Sequence, residues 1–198
     1  MKVIIAILTI FIVWGFINSP DEVSLGSGIL VDEEPIQIPI QPASNVTFDE
    51  FTISKIAEFK LKAKVLAKKN YRFGKEAKLS PTDLVLGWNK MSDQSIVDQI
   101  KISQSGRWYY WKVDSFPIPR KEIQTNSANM HLIPSNDLVR HELKRIRKGD
   151  IVQITGSLVN VSDKGSWYWN SSTTREDTGN GACEIILVDS LYIITDQT

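Results

Sequence analysis

Hydrophobic and polar residues alternate over several stretches of this chain, a pattern typical of half-buried β-strands. The longest stretch is 57–69, AEFKLKAKVLAKK, in which apolar residues at odd positions alternate with lysines at positions 60, 62 and 64. It predicts a long strand with a basic outer face. The same pattern predicts a strand at 150–161. The aromatic-rich stretch 106–113 predicts another, and two more are predicted at 165–171 and, in two pieces, at 183–194.

Three other stretches combine a helix-capping residue with apolar residues at helical spacing, which predicts three short helices. Ser is a favourable N-cap, and Pro fits the first turn of a helix. The predicted helices follow Ser80-Pro-Thr-Asp into 84–87, lie within 91–100 after Ser92 or Asp93, and span 136–147 up to Gly149.

Strands therefore outnumber helices, and the predicted fold class is mainly β with helical insertions (α+β). We expect a small β-barrel or a curled antiparallel sheet. A long first strand, a helix, and a later Lys148-Gly-Asp-x-Val-x-Ile-x-Gly strand resemble the oligonucleotide- and oligosaccharide-binding (OB) barrel. Gly156 inside that later strand predicts a bulge or a tight bend.

The most apolar part of the chain is 3–17, VIIAILTIFIVWGFI, which predicts a membrane-targeting segment. Its length suits either a cleaved signal segment or a retained anchor, and we favour the anchor because no small-x-small cleavage pattern follows. Lys2 precedes the segment, and residues 18–50 contain seven acidic residues and no basic ones. Positive residues stay on the cytoplasmic side. We therefore expect a single-pass protein of the bacterial inner membrane whose C-terminal part faces the periplasm or the cell exterior.

These features divide the chain into three predicted parts. Residues 1–18 are the transmembrane anchor or signal segment, 19–50 a Pro-rich acidic tether, and 51–198 a β-rich globular domain. The apolar alternation within 36–40 leaves a second interpretation open, in which part of the tether packs on the domain as an edge strand.

The composition of the chain excludes several kinds of functional site. The 198 residues include 23 basic and 23 acidic residues, so overall charge indicates no nucleic acid or other polyanion as a partner. One cysteine cannot form an intrachain disulfide, and two histidines cannot build a His-rich zinc site. We expect no metal and no cofactor.

Two polar segments, 126–131 and 173–183, are predicted loops rich in hydrogen-bonding side chains, and loops of this kind often carry function. Cys183, His131 and Asp177 or Glu184 are weak candidates for a catalytic thiolate, base and orienting acid. The alternatives are a small buried Cys183 and a His131 that only fixes a loop. The predicted ligand-binding residues are Asn129, His131, Arg175, Glu176, Asp177, Trp108 and Trp111.

Residues 55–90 hold ten basic and three acidic residues, and aromatic residues lie beside them. Single-stranded nucleic acids bind such surfaces. A lysine-rich face also protects an exposed strand from aggregation, and it suits lipid headgroups. Of these three interpretations we favour a solvated face, followed by contact with lipid headgroups or another polyanion, and then nucleic-acid binding.

The segments LSPTDLVLGWNKMSD, ISQSGRWYYW, PIPR, SANMHLIP and SSTTREDTGNGACE occur in this order between Gly28 and Val188. In this they resemble a group of uncharacterised bacterial proteins anchored in the membrane at the N-terminus. The resemblance implies a location and no activity. The predicted function is a membrane-tethered, non-enzymatic module that binds an envelope protein or glycan. The alternative is a Cys/His-dependent hydrolase or transferase acting on an envelope substrate.

Overall fold

The structure is a computed structural model that describes residues 22–174 and 183–194. The predicted anchor at 1–18 lies outside the described residues, as do Arg175, Glu176 and Asp177. No helix in the described part of the chain is long and apolar enough to cross a membrane.

The described residues are mainly β, with short helices between the strands. The strands are β1 (Ile36–Phe48), β2 (Phe51–Asn70), β3 (Thr82–Gly87), β4 (Lys101–Ser105), β5 (Trp108–Lys112), β6 (Ser127–Pro134), β7 (Ile151–Asp163), β8 (Tyr168–Asn170) and β9 (Glu184–Ile194). The helices are α1 (Lys75–Leu79), α2 (Gln94–Val97), α3 (Arg120–Thr125) and α4 (Asp137–Arg145), with a 3-10 turn at Asn89–Ser92. The prediction of a mainly β chain with helical insertions is confirmed.

Seven strands form one mixed sheet in the order β1-β2-β3-β6-β9-β7-β8, and β4 and β5 form a separate hairpin. β2 pairs with β3 and also with β7, so five strands are linked in a partial ring. The pairs are antiparallel except β6–β9, which is parallel. The interior of the ring holds the largest apolar cluster, to which β2 contributes Phe59, Leu61 and Ala63.

The long alternating stretch forms β2 as predicted, but its basic face is not uniformly exposed. Lys60 is exposed, whereas Lys64 is 1% exposed and donates a hydrogen bond to Oε1 of Gln94, beside α2. Burial lowers the pKa of Lys64, because desolvation disfavours the charged ammonium. A pattern of alternation cannot reveal a short helix that covers part of the polar face.

The prediction of a helix after Ser80-Pro-Thr-Asp is wrong. Residues Thr82–Gly87 form β3, which lies between β2 and β6 with all six residues buried. A strand buried on both faces loses the alternation that identifies exposed strands. Ser80, predicted as a helix cap, instead donates its hydroxyl to Oδ1 of Asp83 at 3.4 Å.

The prediction of a loop at 126–131 is also wrong, because residues Ser127–Pro134 form β6. Polar residues alternate here with Ala128, Met130 and Leu132, and β6 pairs with β3 and β9. A cluster of polar residues favours a loop, but the spacing of two between these residues is that of a strand. Asn129 and His131 are consequently buried side chains of a central strand.

Residues 36–48 form β1, an edge strand that pairs with β2. This part of the predicted tether therefore packs on the domain, as the second interpretation of the sequence proposed. Residues before it also contact the domain. Val31 is buried, and its N–H donates to Oγ of Ser92.

Three local predictions are confirmed. Asp93 caps α2, and α4 lies within the predicted helix 136–147, where Asn136 accepts a hydrogen bond from the N–H of Val139. The β7–β9 register shifts at Gly156, where an added Cβ would lie 2.1 Å from the carbonyl oxygen of Leu187. The residues predicted as two pieces form the single strand β9, which bulges at Asp189 opposite this shift.

Candidate functional site

A cavity of about 750 Å³ opens where the β2–β3 connection, the β4–β5 turn, β6 and the ends of β8 and β9 meet. Five aromatic side chains line it, from Tyr71, Phe73, Trp108, Tyr168 and Trp169. Its polar lining comes from Glu76, Arg107, His131, Asn170 and Cys183. We call this space the aromatic cavity.

Asp83 is the buried carboxylate behind the aromatic cavity, and its side chain is fully inaccessible to solvent. Oδ1 accepts a hydrogen bond from Nη1 of Arg107 at 2.8 Å and lies 3.0 Å from Nδ1 of His131. Oδ2 has no hydrogen-bond partner among the described residues. Because a buried charge is costly unless it is compensated, the hydrogen-bonded guanidinium of Arg107 is the group that stabilises this carboxylate.

Arg107 reaches Asp83 because of the turn that carries it. Gly106 and Arg107 form a two-residue turn between β4 and β5, and both have positive φ values, 56° and 71°. Such a turn matches the twist of a hairpin. Positive φ is unfavourable for arginine, so contacts to the side chain must hold it there.

Those contacts are numerous. Nη2 of Arg107 donates to the carbonyl oxygen of Ser80 at 2.9 Å, and its backbone N–H donates to the Tyr71 hydroxyl at 3.1 Å. The guanidinium carbon lies 4.0 Å from the centroid of the Tyr71 ring and 5.4 Å from that of Trp169. The cation is therefore stacked against two cavity-lining rings and held in a fixed orientation.

Tyr71 stays neutral near pH 7. Burial raises the pKa of its phenol, and the negative charge of Asp83 raises it further. A neutral hydroxyl keeps its proton while its oxygen accepts from the N–H of Arg107.

His131 lies between the buried carboxylate and the aromatic wall. It is 3% exposed, and its ring centroid is 4.8 Å from that of Trp169. Nδ1 approaches Asp83 without hydrogen-bond geometry. The structure thus brings His131 into the aromatic cavity with Asp83 beside it. Asp177, the acid considered from the sequence, lies outside the described residues.

Cys183 lines the same cavity, immediately before β9, and is half-buried. Its Sγ lies 3.9 Å from Nδ2 of Asn129 and 4.0 Å from the carbonyl oxygen of Arg107. The sequence analysis considered a small buried cysteine, whereas Cys183 is only half-buried in the structure.

Asn129 is buried behind the cavity and fixes the hairpin. Its Nδ2 donates to the carbonyl oxygen of Arg107 at 2.9 Å, and its Oδ1 accepts from Nε2 of Gln104 at 2.8 Å. Its contacts are to protein atoms on β4 and in the turn, which gives it a positioning role.

The two tryptophans predicted together are separated by the structure. Trp108 lines the aromatic cavity, whereas Trp111 packs on a different apolar cluster, 6.1 Å from the ring of Phe116. The sequence analysis missed Asp83, Arg107 and Trp169 as site residues. A useful signal was present in Gly106-Arg107, a turn between two stretches of strand-forming residues.

Arg107, the cation among the described residues that line the cavity, pairs with Asp83. Outside the lining, Lys75 pairs with Asp163 and Lys78 with Glu50. Within residues 22–174 and 183–194, no group of three or more His, Cys, Asp or Glu side chains is arranged to hold a metal ion. The described lining is therefore aromatic and polar, and its cation is paired with a buried acid.

Comparisons with known protein families, curated proteins and solved structures found no match to this chain. The resemblance to membrane-anchored bacterial proteins stays a prediction.

Proposed function

We propose that the partial ring of strands is an OB-type barrel. Such a barrel has five strands, is partly open, and binds ligands on its second and third strands and in the loops between strands 1–2 and 4–5. The five ring strands in chain order are β2, β3, β6, β7 and β9. The aromatic cavity is lined by His131 of β6, by the β2–β3 connection, and by residues between β7 and β9. Its location agrees with the ligand surface of that fold.

The function we propose is that of a non-enzymatic, membrane-tethered extracytoplasmic module that binds an envelope glycan in the aromatic cavity. The observation that carries this proposal is the combination of aromatic walls with fixed polar groups. Flat aromatic faces stack on the C–H faces of sugar rings, while Arg107, Asn170 and Glu76 line the same space and suit hydroxyl groups. The concave shape favours a glycan over the flat surface of a protein partner.

Charge distinguishes a glycan from a nucleic acid. A nucleic-acid site uses uncompensated cations that release counterions from phosphates. The cation that lines this cavity, Arg107, is paired with the inaccessible Asp83. A ligand without phosphate charge leaves this pair intact.

The proposed location depends on the sequence. The apolar segment 3–17 and the acidic residues that follow it support an anchor with the domain outside the cytoplasm. Glycans of the cell envelope are then within reach of the cavity.

Calorimetric titration of the full chain in detergent tests the proposal. The probes are soluble N-acetylglucosamine oligomers and muropeptides released from bacterial cell walls, with an oligothymidylate as the polyanion control. We expect saccharide binding that Trp169→Ala weakens about tenfold, a loss of about 1.4 kcal/mol. Trp111→Ala is the matched control, because it removes a tryptophan outside the cavity, and it should leave the affinity unchanged.

Two results would contradict the glycan proposal. One is binding of the oligothymidylate and of no saccharide. The other is an equal loss of saccharide affinity in Trp169→Ala and Trp111→Ala. Thermal unfolding of both variants separates lost contacts from lost folding.

A second candidate function rests on a specific observation, which is that Cys183 and His131 line one cavity with Asp83 beside the histidine. A thiolate nucleophile with an adjacent base and an orienting acid is the arrangement of thiol-dependent hydrolases and transferases. Cys183→Ala separates the candidates. A binding module keeps its saccharide affinity in this variant, whereas an enzyme loses turnover of any bound saccharide or muropeptide.

A further inference from the structure

A second concave surface lies between α4 and the last residues of β9, with a volume of about 880 Å³. Two apolar or amphipathic side chains are exposed at it, Leu138 at 80% and Tyr192 at 63%. Arg145, seven residues after Leu138, lies on the same side of the helix and lines the same groove. We call this surface, together with the adjoining Lys148, the α4 face.

The N-terminal part of the chain is attached at the α4 face. The N–H of Val23 donates to the carbonyl oxygen of Lys148 at 2.9 Å, and the Glu22 carboxylate lies 2.7 Å from Nζ of Lys148. Gly149 makes this approach possible, because an added Cβ would lie 1.7 Å from the carbonyl oxygen of Val23. The chain therefore reaches the domain at the C-terminal end of α4.

Chain length limits how far this attachment point lies from the apolar segment. Five residue steps separate Ile17 from Glu22, and an extended chain spans at most about 3.6 Å per residue, or about 18 Å in all. The headgroup layer on each side of a bilayer is itself roughly 5–7 Å thick. If residues 3–17 anchor the chain, the α4 face lies beside the membrane surface.

We propose that the α4 face docks on anionic lipid headgroups of the membrane that holds the anchor. This inference rests on the membrane tethering in the proposed function. Lipid phosphates are the partner that the location fits, and four exposed basic side chains lie at the C-terminal end of α4 beside the attachment point. They are Lys144, Arg145, Arg147 and Lys148.

The existing ion pairs of the α4 face do not prevent this contact. Arg145 pairs with Glu142, and its side chain is 61% exposed. Exposed pairs contribute little to stability, and a guanidinium forms strong paired hydrogen bonds with a phosphate. Leu138 and Tyr192 suit the interfacial layer, where amphipathic and aromatic side chains are favoured.

Amide hydrogen exchange of the full chain in lipid nanodiscs tests the proposal. One disc contains phosphatidylcholine alone, and the other an equal mixture of phosphatidylcholine and phosphatidylglycerol. In the anionic disc we expect exchange of the α4 segment, 137–149, to slow by about tenfold. The double variant Lys144→Glu with Arg145→Glu should abolish this difference.

The matched control is Lys101→Glu with Lys112→Glu, which reverses two exposed lysines that face each other on the β4–β5 hairpin. It should keep the lipid-dependent protection of 137–149. Equal exchange in the two discs, or equal protection in both double variants, overturns the docking proposal. A chain that separates from the disc overturns the anchoring itself, so the two failures are distinguishable.

Discussion

The aromatic cavity and the α4 face contain the same kinds of side chain, but the protein treats their charges differently. At the cavity, Asp83 is inaccessible and Arg107 is stacked and hydrogen-bonded in one orientation. At the α4 face, Arg145 and Glu142 form an exposed pair. Burial makes a charge pair rigid and costly to break, whereas solvent lets a pair exchange partners. The cavity is therefore suited to a shaped ligand and the α4 face to a fluid surface.

The largest expected effect is at the buried pair. Arg107→Met removes the cation from Asp83, and the free energy of unfolding should fall by about 3 kcal/mol, because an uncompensated carboxylate remains in a dry site. Chemical unfolding of the full chain in detergent measures the change.

The comparison with the α4 face supplies the control for that variant. Glu142→Gln breaks the exposed pair with Arg145, and we expect a change below about 0.5 kcal/mol. Equal losses in the two variants would show that burial does not distinguish the two regions.

The attachment of the N-terminal residues should have the next largest effect. Gly149→Ala combines a positive φ of 91° with a Cβ that collides with the Val23 carbonyl. We expect a loss of about 2 kcal/mol, together with faster amide exchange at residue 23.

Gly106→Ala is the matched variant at the cavity. Gly106 also has a positive φ, 56°, but no atom lies within 4 Å of an added Cβ. Only backbone strain remains, and the expected loss is about 1 kcal/mol. A Gly106→Ala loss as large as that of Gly149→Ala would remove the argument that Val23 is held against the end of α4.

The smallest expected effect concerns Lys64, a buried cation without a carboxylate bonded to it. Burial lowers its pKa, so the folded chain binds fewer protons than the unfolded chain as the pH approaches 10.5, the ordinary lysine value. The free energy of unfolding should therefore rise with pH in this range. Lys64→Met should reduce that slope and change stability at pH 7 by about 1 kcal/mol or less.

Lys60→Met is the control, because Lys60 lies exposed on the same strand. It should leave the slope unchanged. The half-buried Lys68, whose pKa is also lowered by desolvation, maintains part of the slope in both variants. An unchanged slope in Lys64→Met would contradict the assignment of a buried, destabilised ammonium.

The strands predicted correctly include the mostly buried β7 and β9, but alternation is clearest in elements with one face in solvent. β2 and α4 each bury one side, so their periodicity appears directly in the residue order. β3 is buried on both sides and was predicted as a helix, while β6 carries polar residues toward the site and was predicted as a loop.

The candidate site was only partly predictable for a related reason. His131 and Trp108 were selected by residue type, and both line the cavity. Asp83 and Arg107 are 24 residues apart in the chain, and they meet because the β4–β5 turn folds back over β3. No local pattern contains that contact. Local signals for the two residues existed separately, as a cap-like Ser-Pro-Thr-Asp and a Gly-Arg turn.

The most direct test of the account is amide hydrogen exchange of the full chain in anionic nanodiscs, with and without the saccharide probe that binds best. We predict that the saccharide slows exchange at 71–76 and 104–108, around the aromatic cavity, and leaves 137–149 unchanged. Anionic lipid should slow exchange at 137–149 and leave exchange at 71–76 and 104–108 unchanged. Protection of the same segments by both ligands, or of neither region by the saccharide, would contradict the assignment of separate glycan and membrane surfaces.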